Sequence, residues 1–189
     1  MIAPGTEHIV FFLEGPSEQD FLKAFLPAFL PDQITLHYQV FQGKQDMEKR
    51  LALRIRGWRQ ANTRFVVLRD QDSGDCMAIK KGLQHICASA GQPHAVVRIA
   101  CRELETFFVG DWAAVALAFD MPALAKLSAK AMYRQPDALG SPSGELKKHV
   151  AQYQKRDGAR RIALHLDPAR NKSRCFGVFM RSIQQIAAA

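Results

Sequence analysis

His8-Ile9-Val10-Phe11-Phe12-Leu13-Glu14-Gly15-Pro16-Ser17-Glu18 is the stretch on which the fold turns. The apolar residues Ile9 to Leu13 are too few for a helix and leave no polar face, the pattern of a strand buried on both sides. The run stops at an acid and a glycine, and Ser17 stands where a helix N-cap belongs. Phe21, Leu22, Phe25 and Phe29 then share one side of a helix expected over residues 17–29. A buried strand that turns directly into an amphipathic helix opens an alternating α/β fold.

Three further β-rich runs follow, at 34–41, 63–68 and 95–100. Between them, Met47, Leu51, Ile55 and Trp58 line one face of a helix over 44–60, with Lys49, Arg50, Arg56 and Arg59 opposite. Ile79, Leu83, Ile86 and Ala90 do the same over 75–90. The order predicts an α/β fold with a largely parallel, Rossmann-like four-stranded sheet flanked by helices. The second half shows no strand pattern. Asp111 can cap a helix from Trp112 to Phe119, and Pro122 suits a first helical position. Ser141-Pro142-Ser143-Gly144 reads as a loop before a helix near 145–155, and residues 175–187 place Phe176, Phe179, Ile183 and Ile186 inward. The expectation is one domain over 1–189, with an α/β core to about residue 110, a helical extension from about 111, and 135–144 as the place for a hinge.

With 48% apolar and 23% charged residues, the chain is neither disordered nor fibrous. No apolar run approaches the ~20 residues needed to span a bilayer. Met1-Ile2-Ala3-Pro4-Gly5 lacks the layout of a secretory signal, so the cytoplasm is the expected location. Cys76, Cys87, Cys101 and Cys175 show no metal or redox spacing and are expected to be reduced, mostly buried residues. The histidines show no paired ligand spacing, Trp58 and Trp112 lie on apolar helical faces, and no Gly-rich phosphate loop is present. Charge is uneven. Residues 147–181 hold ten of the 26 basic residues but only two of the 18 acidic ones, so the whole excess of +8 falls there. A basic second half favours a polyanionic partner, nucleic acid first, although a solvated helical surface has the same composition.

Acids cluster where three of the strands end. Glu14 closes the first strand, with Glu18 one helical turn on. Asp70 closes the third, with Asp72 two residues later. Glu103 and Glu105 follow the fourth. Each cluster alone reads equally well as a cap, a turn or a surface pair. Asp70 and Asp72 share a side if the backbone stays extended. Glu103 and Glu105 do so too, but lie roughly 200° apart if a helix has already begun. Together they converge on one edge of a parallel sheet, where ligands of open α/β folds bind. Crowded carboxylates coexist at neutral pH only with cations between them or protons upon them. An all-oxygen set suits Mg2+ or Mn2+, and two such ions about 3.5–4 Å apart can hold both oxygens of a phosphoryl transfer.

Glu14-Gly15-Pro16-Ser17-Glu18 followed by Asp70-Gln71-Asp72 resembles the TOPRIM domain of topoisomerases, primases and the overcoming-lysogenization-defect (OLD) nucleases. Phe41-Gln42-Gly43-Lys44-Gln45-Asp46, the run from Arg102 to Asp111, and Asn171-Lys172-Ser173-Arg174 resemble a narrower bacterial TOPRIM-like family, often encoded beside an ABC- or SMC-like ATPase. The resemblance implies a Mg2+-dependent site. In it Glu14 acts through a metal or as acid–base. Asp70 and Asp72 are ligands, Glu18 matches the second acid of the OLD-like pattern, and Glu103 and Glu105 are further ligand candidates. Lys172 or Arg174 would face a scissile phosphate, with Lys44 competing for that role. Lys44, Lys147, Lys148, Arg160, Arg161, Lys172 and Arg174 would hold nucleic acid. The implied function is a metal-dependent nuclease acting on DNA or RNA, an antiphage effector with an ATPase partner. The alternative is a non-catalytic module that docks the ATPase and binds nucleic acid.

Overall fold

Alternation within β1 (His8–Leu13) sets the layering. Ile9, Phe11 and Leu13 point into one apolar cluster, while Val10 and Phe12 point into another on the opposite face of the sheet. A computed structural model describes residues 5–188. β1 pairs in parallel with β2 (Thr35–Val40) and with β3 (Thr63–Asp70), and β3 pairs in parallel with β4 (Val96–Ala100). The order β2-β1-β3-β4 makes a four-stranded parallel sheet with β1 and β3 central. Those two strands are the near-continuous apolar runs, as double burial requires.

One face is covered by α2 (Lys44–Arg56) and α3 (Cys76–Ser89), whose Met47, Leu51, Ile55, Leu83 and Cys87 pack on Val10, Phe12, Phe65, Val67, Val97 and Ile99. The other face meets α1 (Pro16–Phe25) and the whole second half of the chain. That half comprises α4 (Glu105–Val109), α5 (Trp112–Ala118), three 3-10 segments over 122–138, α6 (Pro142–His149), α7 (Lys155–Ala163) and α8 (Arg174–Ala187). A chain of aromatic contacts carries the core across: Phe21 meets Phe107 and Phe108, Phe25 meets Phe176, and Phe107 meets Phe179. The helical half is thus the second wall of the sandwich, not an appendage to it. No helix among the described residues is long and apolar enough to cross a membrane.

Several boundaries differ from those the sequence suggests. Gly15, not Ser17, occupies the N-cap of α1, with Pro16 at the first helical position, and the helix ends at Phe25 before a 3-10 turn, Leu26–Ala28. Ser17 instead donates its hydroxyl to Glu18. Trp58 lies beyond the end of α2 and donates its indole N–H to Thr63 at 3.0 Å. Ser141 is a cap rather than a loop residue, its hydroxyl accepting from Gly144 N–H in the first turn of α6. The segment 135–144 is tied down as well, since Asp137 accepts from Ser173 Oγ at 2.6 Å and from Cys175 N–H at 3.1 Å.

Candidate functional site

The parallel register brings the acids to one edge. Leu13 pairs with Leu68 and Asp70 with Ala100, so Glu14, Asp70 and the turn after β4 leave the sheet side by side. Asp70 is the centre of the group. Its Oδ1 is shielded from solvent and accepts no hydrogen bond, and burial lifts its pKa well above the carboxylate range, with Glu18, Glu105 and Glu14 lifting it further. Glu18 is 3% exposed, and burial pushes its carboxyl up to about 7 against the hydrogen bonds from its own N–H and from Ser17. Glu105 is 2% exposed and raised by burial, and it accepts the Tyr153 hydroxyl at 3.1 Å. Glu14 is raised by burial and by Asp72, while Arg69, 3.7 Å away, pulls it back. Burial first, and neighbouring acids second, hold these four carboxyls above their ordinary values, and such a site favours positive charge at its centre.

Asp72 stands apart from Asp70. Its φ of 54° ends the extended backbone at once, so the shared side expected from period two does not form. Its N–H donates to Arg102 carbonyl oxygen at 2.8 Å, and its carboxylate pairs with Lys44 at 2.9 Å. Asp75, rather than Asp72 or Ser73, caps α3 through Ala78 N–H. Lys44 reaches Asp72 because Gly43, at φ 90°, makes a turn that an L side chain resists, and donates its N–H to the Glu14 carbonyl at 3.0 Å. Glu14 therefore lies between two groups, Asp70–Glu18–Glu105 on one side and Asp72–Lys44 on the other.

α4 begins at Glu105, so the extended arrangement of Glu103 and Glu105 does not occur either. Both nevertheless reach Lys155, at 3.8 and 3.7 Å. Glu103 is fixed by Ser143, which donates its N–H and its hydroxyl at 2.8 Å each. Lys155 opens α7 and is raised by Glu105, Glu103, Asp70 and Glu18 against the cost of burial, so it stays charged amid the cluster. Lys155, Tyr153 and Arg69 belong to this site, yet sequence reasoning singled out none of them. Lys155 is one of ten cations in the basic stretch, and only the packing of α7 on α1 distinguishes it.

Lys172 and Arg174 are not brought to the acids. Lys172 donates its ammonium to the Ser128 carbonyl at 2.6 Å, and both residues line a cavity beside β4. Lys147 and Lys148 lie exposed in the last turn of α6. Arg160 pairs with Asp157, and Arg161 lies over the Phe119 ring, 4.4 Å from its centroid. The two late motifs form a clasp. Asp111, 2% exposed, accepts two guanidinium bonds from Arg170 at 2.8 Å and the N–H groups of Ala114 and Asp167 at 3.1 Å. Asn171 donates to the Phe107 carbonyl, and Lys172 N–H donates to that of Gly110. A Cβ at Gly110 would lie 2.1 Å from Asn171 Oδ1, so only glycine fits.

The residues fit a divalent cation by one direct observation, the buried and unpartnered Oδ1 of Asp70 within a crowded acid set. Among the described residues, no three His, Cys, Asp or Glu side chains are drawn together into a ready ligand set. Lys155 supplies part of the positive charge that the cluster calls for.

A family model described as "Domain of unknown function (DUF4276)" matches residues 13–186. No curated protein matches the chain. Among solved structures, the C-terminal region of the Burkholderia pseudomallei OLD protein matches with a TM-score of 0.57 and 18% identity. The match covers 95% of this chain and 96% of that one. At that identity the likeness is one of fold, and it extends over both the sheet and the helical half.

Proposed function

Because the chain belongs to the DUF4276 family, whose description assigns no activity, its chemistry must be read from the site, and we propose that it is a divalent-metal-dependent nuclease. The observation that carries this reading is Asp70, a carboxylate buried without a partner among acids that each raise its pKa. Asp70, Glu14, Glu18 and Glu105 would hold Mg2+ or Mn2+, with Asp72 the ligand on the far side of Glu14. The metal, when bound, supplies Lewis-acid charge to a phosphoryl oxygen and a more acidic water. The chain's own residues supply the rest. Tyr153 orients Glu105, Ser143 orients Glu103, and Lys155 stays protonated beside both, a fixed cation for the charge that develops on a phosphate. Lys44 offers a second cation across Glu14. Likeness of fold to the OLD C-terminal region and the basic second half support a nucleic-acid substrate, DNA or RNA. An ABC- or SMC-like ATPase partner and a role in antiphage defence rest on the sequence resemblance.

The lysine within the acid cluster favours one competing reading, a non-catalytic module that docks the ATPase and holds nucleic acid. Cleavage of a panel of supercoiled and linear DNA, single strands and total tRNA, with Mg2+ or Mn2+, separates the two. Metal-dependent cutting by the wild type that disappears in Glu14→Gln and Asp70→Asn establishes the nuclease. No cutting together with no Mn2+ binding by the wild type rejects it.

A further inference from the structure

A second concave place on the molecule gathers positive charge, and it lies apart from the acids. Between β4, the start of α3, the 3-10 segments and the first turns of α8 is a cavity of about 650 Å³. β4 is an edge strand, so the space beside it is not filled by another strand. Ile99 offers a carbonyl into this region, which Cys175 Sγ approaches at 3.0 Å. The walls are apolar where Val97, Ile99, Met77 and Val178 contribute, and Met77 and Val178 are 62% and 40% exposed, a costly placement for large apolar side chains unless something covers them. The remaining walls carry Lys80, Arg98, Arg134, Lys172 and Arg174 against one acid, Asp137. Asp137 is held by Ser173 Oγ and Cys175 N–H and makes no ion pair with these cations, so the wall keeps a net positive charge. Arg98 is held by Ser182 and Lys172 by the Ser128 carbonyl. Among the described residues, Lys80, Arg134 and Arg174 make no ion pair at all.

We propose that this cavity binds a nucleoside monophosphate unit, its ring against the apolar wall and its phosphate against Arg134 and Arg174. The volume suits a ligand of that size. A guanidinium pair grips a phosphate in a way that a plain apolar pocket would not reward. An aromatic base has the flat apolar area that Met77, Val178 and arginine stems can cover. The same unit can come as a free nucleotide or as one residue of a strand. The cavity reaches Cys101, just ahead of Glu103, so a strand lying in it would lead toward the carboxylate edge. Binding itself needs no metal and none of the acids, and so stands independently of the nuclease reading.

Titration of the full chain in EDTA with AMP, UMP, inorganic phosphate and a 5′-phosphorylated tetrathymidylate tests this. Val178→Trp fills the cavity, Arg134→Ala and Arg174→Ala remove the two cations assigned to the phosphate, and Asp70→Asn leaves it intact, all checked for unchanged circular dichroism. The expected result is saturable binding of a mononucleotide or the tetranucleotide. It is weakened at least about tenfold by each of the three cavity variants, unchanged in Asp70→Asn, and matched by slower alkylation of Cys101. The tighter of the two ligands identifies the source, free nucleotide or strand. Phosphate binding as tightly as the nucleotides, binding that survives Val178→Trp, binding lost in Asp70→Asn, or no binding by any probe would each overturn the proposal.

Discussion

Burial, with Glu18, Glu105 and Glu14 nearby, sets the fold against ionisation of Asp70, and the same pressure acts on those neighbours. Replacing Asp70 by asparagine removes the ionisation but keeps the shape. Metal-free Asp70→Asn is expected to be more stable than wild type by about 1–2 kcal/mol above pH 7, and to lose Mn2+ binding and cleavage. Denaturant melts in EDTA, beside a Mn2+ titration, read both effects. Glu18 gives the pH dependence. Its ordinary value is 4.5 and burial raises it to about 7 in the folded chain, so the fold prefers the protonated form. The stability this contributes is complete below about pH 4.5 and is lost as pH rises through 7, a change of roughly 3 kcal/mol. The melting temperature in EDTA should therefore fall from about pH 5 to pH 8, and divalent metal should flatten that slope. A flat profile without metal would argue that the acids are solvated. At this scale the sequence revealed the acids but not their partners. Glu14, Glu18, Asp70, Glu103 and Glu105 sit in local contexts that a strand-end argument reaches. The same argument reached Asp72 but misplaced it, because one left-handed residue cancels period two and leaves its carboxylate with Lys44. Lys155 escaped it because its role comes from a packing contact made far along the chain.

The elements were legible wherever burial imposes a period. All four strands and the apolar faces of α2, α3 and α8 follow from spacing alone. Helix starts were less legible, because serine and aspartate next to glycine and proline suit a cap and a turn equally. Ser141 became a cap, while Ser17 yielded its place to Gly15. Two close approaches between elements carry predictions. A Cβ at Gly158 would lie 2.2 Å from the Tyr153 ring, the side chain that holds Glu105. Gly158→Ala should cost about 1–3 kcal/mol in a denaturant melt and weaken Mn2+ binding through the displaced tyrosine. Gly110→Ala, pressed against Asn171, should cost a similar amount but leave Mn2+ affinity in the folded protein unchanged, since the clasp does not touch the acids. Equal metal-binding losses in the two variants would contradict this division.

Over the whole molecule, the surplus of positive charge lies in the helical half while the acids gather at one edge of the sheet. Exposed lysines at the end of α6 are free to meet phosphates, so Lys147→Glu with Lys148→Glu should weaken nucleic-acid binding severalfold and lower the slope of log affinity against log salt by about two. An unchanged slope would move the contact surface elsewhere. The parallel sheet flanked by helices was readable from the sequence, but not that the helical extension packs on the sheet as one of its walls. The apolar faces of α1 and α8 do not announce in sequence that they meet. That meeting has a consequence for how the protein comes into being. β1 is synthesised long before α8, yet Ile9, Phe11 and Leu13 share their core with Phe176, Phe179 and Ile183. Until α8 is made, the nascent chain must carry this apolar sheet face uncovered. Such long-range closure folds slowly and invites chaperone capture or aggregation. Lys155 and Tyr153 arrive equally late, so the carboxylate edge gains its lysine and its tyrosine only as the molecule closes. The carboxylate edge is therefore complete only in the same event that seals the core.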